Sequence, residues 1–147
     1  MSEQTRRVTA DDLIALNKRV LKYGGGQHGI EHETGLRYAA ERPWLAFGDI
    51  EMYPTPFEKG AVLMENVIRT SPFREGNKRT GFAAGAALIH VLTSGKVLAS
   101  GNEVVRVSKA VEEKSLDLAA LSEWFEAHTR ASQKAVGKPP CASFTAS

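Results

Sequence analysis

Ten consecutive residues, Ser71-Pro-Phe-Arg-Glu-Gly-Asn-Lys-Arg-Thr80, gather a carboxylate, a carboxamide and neighbouring cations around one glycine. These are groups that hold phosphate. Gly76 permits close backbone approach, Asn77 can donate its amide to a phosphate oxygen, Lys78 supplies a point charge, and Arg79 offers a planar fork for two oxygens. A helix beginning at Asn77 adds unpaired backbone N–H groups and the positive end of its dipole. Glu75 completes the set, because magnesium takes few protein carboxylates and fills its shell with phosphate oxygens and water. The stretch therefore reads as a site for a magnesium complex of ATP or another NTP. Gly-Asn-Lys-Arg alone describes a solvated helix start equally well. The fixed spacing to Phe73, Glu75 and Thr80 favours phosphate.

The decapeptide resembles the signature of the Fic/Doc family, His-x-Phe-x-(Asp/Glu)-(Gly/Ala)-Asn-(Gly/Lys)-Arg, with Ser71 at the position of the catalytic histidine. The likeness extends in order through Asp12-Leu-Ile-Ala-Leu16, Tyr23-Gly-Gly25, Leu36 to Pro43, Tyr53-Pro-Thr-Pro-Phe-Glu-Lys59 and Ser115-Leu-Asp-Leu118, as in death-on-curing proteins. It implies an all-α Fic fold, with Phe73 anchoring the motif loop in the core and a short flap or hairpin-like segment near 47–55 that aligns a target segment. The residue after Asn77 points within the family. Lys78 resembles the Doc-type toxins, which transfer the gamma phosphoryl group, whereas Pro72-Phe-Arg-Glu-Gly76 resembles the branch that transfers AMP. The partners implied are a protein bearing a Ser/Thr hydroxyl, with translation elongation factor Tu as the expected target, and a Phd-like antitoxin whose tail folds into a groove beside the motif.

Ser71 marks the place of the general base. A serine hydroxyl lacks the basicity of an imidazole, so nucleotide binding is expected to survive while transfer is weak or absent. Three origins fit: a substitution made to tolerate a toxic protein, a natural loss leaving a binding-only pseudoenzyme, or a hydroxyl that accepts self-modification. His28 and His32, in the Gly-rich stretch, read as exposed and idle. His90 and His128 read as ordinary helix residues. Trp44 and Trp124 read as core or groove-lining aromatics. The sequence has no Cys/His metal spacing and no Gly-x-Ser-x-Gly elbow.

Several elements must position this loop. Thr9-Ala-Asp-Asp12 reads as a capped start, and Leu13, Leu16, Val20 and Leu21 give a helix over 10–23 that Gly24-Gly25-Gly26 stops. Glu33 to Glu41 is a short helix ended by Pro43. The spacing Phe57, Ala61, Met64, Ile68 predicts a helix from Pro56 to the motif, and Phe82, Ala86, Ile89, Leu92 another from Asn77 to about Ser94. Gly81, Ala84, Gly85 and Leu88 form a small-residue face suited to close helix contact. Ser100 opens a capping box for a helix to about Lys114, and Asp117 caps one carrying Leu118, Leu121 and Phe125. About six helices result.

With 147 residues, 42% hydrophobic and 24% charged, the chain fits one domain. We assign residues 8–130 to it, with flexible ends at 1–7 and 131–147. A formal net charge of +2 argues against direct nucleic-acid binding, and the longest apolar run is too short for a membrane span. The lone Cys141 and a polar Met1-to-Arg7 segment without a signal-peptide core point to the cytoplasm.

Overall fold

The computed structural model describes residues 7–131. The ends expected to be flexible lie outside the described residues, apart from Arg7 and Ala131, and so does Cys141. The described chain folds into helices α1 (Ala10–Gly24), α2 (Glu33–Glu41), α3 (Pro56–Thr70), α4 (Asn77–Thr93), α5 (Gly101–Glu112) and α6 (Leu118–His128). None of them is long and apolar enough to cross a membrane.

The helices begin where side chains replace missing backbone acceptors. Thr9 and Asp12 close a reciprocal box at α1, Ser100 and Glu103 do so at α5, and Asp117 caps α6 through Ala120. The box of Thr55 and Glu58 at α3, with Pro56 at the first helical position, escaped the sequence reading although its pattern is standard.

α3 is the central helix. One flank packs into a cluster with Leu13, Leu36, Leu63, Val67, Phe73 and Leu88, and the other into a cluster with Met64, Ile89, Val111, Leu121 and Phe125. The small-residue face of α4 meets α3 backbone to backbone, as the pattern at 81–88 predicts. A Cβ on Gly60 would stand 2.9 Å from the Gly85 carbonyl oxygen, and one on Gly85 would stand 2.8 Å from that of Gly60. The helices flanking the motif thus cross with no room for a side chain at either glycine.

The hairpin expected near 47–55 lies at residues 46–51. Strands β1 (Ala46–Phe47) and β2 (Ile50–Glu51) pair antiparallel, with Gly48 turning at φ 65°. Phe47 and Ile50 are exposed on it. Its far side is pinned by buried Lys59, whose ammonium bonds the Glu51 carboxylate and the Tyr53 carbonyl. A second pair, β3 (Lys96–Val97) with β4 (Thr129–Arg130), ties the exit of α4 to the end of α6. Such short strands carry too few residues to show an alternating pattern.

Gly85→Ala should destabilise the fold by about 1–3 kcal/mol, because its methyl has no flexible neighbour to displace. Urea unfolding followed by helical ellipticity would show an earlier midpoint.

Candidate phosphate-binding site

α3 ends at Ser71, which adopts the left-handed conformation with φ 45° and ψ 58°. For a residue other than glycine this costs on the order of 1–2 kcal/mol. Two bonds back to α3 support it. The Ser71 N–H donates to the Val67 carbonyl at 3.1 Å and Oγ donates to that of Ile68 at 3.1 Å. The Ser71 hydroxyl is therefore turned onto its own helix.

The loop that follows is stitched to residues 29–32. The Pro72 carbonyl accepts from the N–H groups of Glu31 at 2.8 Å and His32 at 3.1 Å, and the Arg74 N–H donates to the Gly29 carbonyl at 2.8 Å. Phe73 is 1% exposed and sits in the core cluster. Asn77 clamps its backbone from both sides, accepting from the Phe73 N–H at 3.0 Å and donating to the Phe73 carbonyl at 2.9 Å. One amide hydrogen of Asn77 remains for another acceptor. Gly76 turns the chain into α4 at φ 81°, where a Cβ would press on Leu21 at 3.0 Å and on Asn17 at 3.3 Å.

Among the described residues no side chain caps the start of α4, which leaves the orphan N–H groups of its first turn at the positive end of the dipole without a side-chain acceptor. Glu75 lies beside them, packed over Gly26, and pairs with no cation among the described residues. Those residues contain no cluster of three metal-ligating side chains. A cation here would rest on Glu75, with phosphate oxygens and water for its other ligands, which suits magnesium. The donor set thus fits a magnesium-bound phosphate.

The two cations turn to different neighbours, because successive helical residues point about 100° apart. Lys78 reaches Glu112 of α5 at 3.3 Å, with both partners about half exposed. Arg79 donates from its fork to the carbonyls of Val20 and Gly25, each at 3.2 Å, at the negative end of α1. Between α1, α4 and α5 lies a groove of about 590 Å³, lined by Leu16, Val20, Tyr23, Arg79, Phe82 and Val104.

Two residues central to the site were not anticipated. Asn17 is fully buried in α1. Its amide donates to the Glu75 carbonyl at 2.9 Å and to the Thr80 hydroxyl at 3.1 Å, while its oxygen lies 2.7 Å from Nδ1 of His28. A polar residue within the Leu13 and Leu21 stripe was the available signal. His28 corrects an expectation: it is exposed but not idle, bonded to Asn17 with its ring centroid 6.2 Å from that of Phe73. The other histidines do local work, His90 against the Gly95 carbonyl and His128 stacked on Trp124.

Residues 7–89, which run from before α1 nearly to the end of α4, match the Fic/DOC family. The chain belongs to the Fic/DOC family. It is 29% identical over 89 residues to Toxin Doc of Mycolicibacterium smegmatis (strain ATCC 700084 / mc(2)155), covering 60% of this chain and 67% of that protein. The mostly helical architecture is the Fic fold, and the family match takes in the motif loop, residues 25–32 and the hairpin. α5 and α6 lie beyond the matched residues.

Replacing Asn17 by alanine strands Thr80, the Glu75 carbonyl and His28. It should cost about 1–3 kcal/mol. Hydrogen exchange should quicken at Gly76 and across residues 25–32 before it does in α3.

Proposed function

We propose that this chain is a Doc-like toxin of a toxin–antitoxin module, descended from an enzyme that moves the gamma phosphoryl group of a magnesium-bound NTP to a Ser or Thr hydroxyl of a protein. Family membership, the relative named Toxin Doc and Lys78 after Asn77 support it. The observation that carries it is the start of α4, uncapped by a side chain, beside a Glu75 carboxylate that pairs with no cation among the described residues. There the first-turn N–H groups and the remaining Asn77 hydrogen would take phosphate oxygens. Glu75 would hold the magnesium, which when bound screens phosphate charge. Lys78 and Arg79 would exchange their exposed protein partners for phosphate, a modest cost because surface ion pairs are weak.

The location we assign is the cytoplasm, where elongation factor Tu is the target implied by resemblance. A Phd-like antitoxin tail is assigned to the groove of Leu16, Val20, Phe82 and Val104 beside the motif helix. Arg19 and Arg79 at its wall suit an acidic, apolar-anchored segment. A second reading, a pseudoenzyme that binds nucleotide or antitoxin without turnover, is favoured by the Ser71 hydroxyl, which is engaged with Ile68.

Calorimetry should detect uptake of magnesium-ATP, and a Lys78→Ala/Arg79→Ala variant should weaken it by about tenfold or more. Uptake that is absent, or indifferent to that change, overturns the proposal. With ATP labelled on the alpha or the gamma phosphate, Ser71→His should raise gamma-label transfer to elongation factor Tu by about a hundred- to ten-thousand-fold. Alpha label on the target would instead identify AMP transfer, and no label from either protein would identify the binding-only reading.

A further inference from the structure

The bonds around Asn17 determine which nitrogen of His28 carries its proton. Asn17 is fully buried, and its amide nitrogen faces a backbone carbonyl, that of Glu75, which can only accept. The second amide hydrogen goes to the Thr80 hydroxyl. With both hydrogens committed, the carboxamide oxygen is what faces Nδ1 of His28 at 2.7 Å, and it too can only accept. Flipping the amide would set two carbonyl oxygens against each other at Glu75. Nδ1 of His28 is therefore the protonated nitrogen, and neutral His28 carries its lone pair on Nε2. That nitrogen bonds to no other group among the described residues.

The ring is exposed, and its place beside the motif is set twice. It packs toward Phe73 at 6.2 Å between ring centroids, and the next residue, Gly29, accepts the Arg74 N–H. A carboxamide that holds an imidazole by one nitrogen and leaves the other basic is the arrangement by which an Asn orients a catalytic His. Ser71 meanwhile offers no base.

We propose that His28 is the proton acceptor of this site as it stands, with Asn17 as its positioning residue. This rests on the phosphotransfer reading above. The hydroxyl oxygen of the target forms a bond to the gamma phosphorus of the NTP, and its proton passes to Nε2 of His28. The bond from the gamma phosphorus to the bridging oxygen breaks, and its electron pair leaves with the nucleoside diphosphate. The imidazolium is stabilised through Nδ1–H by the Asn17 oxygen and returns its proton to solvent.

The test uses His28→Asn, whose amide nitrogen can stand where Nδ1 stands and keep the Asn17 bond, with nothing basic at Nε2. The slow gamma-label transfer of the unaltered chain should fall by about tenfold or more, while magnesium-ATP uptake stays unchanged. In the Ser71→His background the same change should cost little, because that variant supplies its own base. Equal losses in both backgrounds would assign His28 a structural role and overturn the proposal, as would no loss in the unaltered chain or no transfer by it at all. Failure of nucleotide uptake in every form would instead remove the phosphotransfer reading. A readout independent of activity is long-range ¹⁵N–¹H NMR of the unaltered protein. The pattern of an Nδ1-protonated ring, with Nε2 shifting when a non-hydrolysable magnesium-ATP analogue is added, is expected. An Nε2-protonated ring, or one unmoved by the analogue, overturns it.

Discussion

One buried carboxamide decides how the motif loop sits. Asn17 has no contact with water, so each of its polar atoms needs a partner within the fold, and an unmet one would cost about 1–3 kcal/mol. Its partners come from the loop, from α4 and from the segment after α1. The three pieces can shift only together. The glycines at 24–26 belong to the same constraint. A Cβ at Gly24 would fall 1.9 Å from the Arg79 guanidinium, and one at Gly26 would fall 2.8 Å from the Glu75 carboxylate. The run that stops α1 is also the seat on which two motif side chains rest.

Beneath the loop, the backbone contact of Gly60 with Gly85 fixes how α3 delivers the chain to the motif and how α4 receives it. A site made largely of helix-terminal N–H groups needs such rigidity, since a shift of the helix moves every donor at once. Phe73, clamped by Asn77 and buried among Leu13, Leu63 and Leu88, ties the middle of the loop to that scaffold.

What could be read from the sequence was local. Caps at Thr9, Ser100 and Asp117, the apolar periods of α1, α3 and α4, and the small face at 81–88 each depend on neighbours within one or two turns, and each stands where expected. The candidate site was legible as a list of groups but not as an arrangement. Lys78 and Arg79 adjoin in sequence yet diverge around the helix, and their partners Glu112 and Val20 lie far along the chain. Asn17 meets Glu75 and Thr80 across separations of 58 and 63 residues, which no local pattern encodes. His28 looked idle because only that distant arrangement gives it a partner. The β3–β4 pair was hidden for the same reason, its strands being short and far apart.

The geometry also separates two jobs that the family signature writes as one. Phosphate recognition is expected from the start of α4, from Asn77 and from Glu75, all positioned by Asn17, Phe73 and the glycine turns. Proton removal needs only a basic nitrogen near that anion. Ser71 terminates α3 through bonds of its backbone and hydroxyl to Val67 and Ile68, so a change of side chain there leaves the anion-facing groups in place. Under the proposed function, a serine at 71 is therefore compatible with the phosphate-binding arrangement. What stands beside the loop then matters for proton transfer, and an exposed imidazole held by a buried amide is one such group.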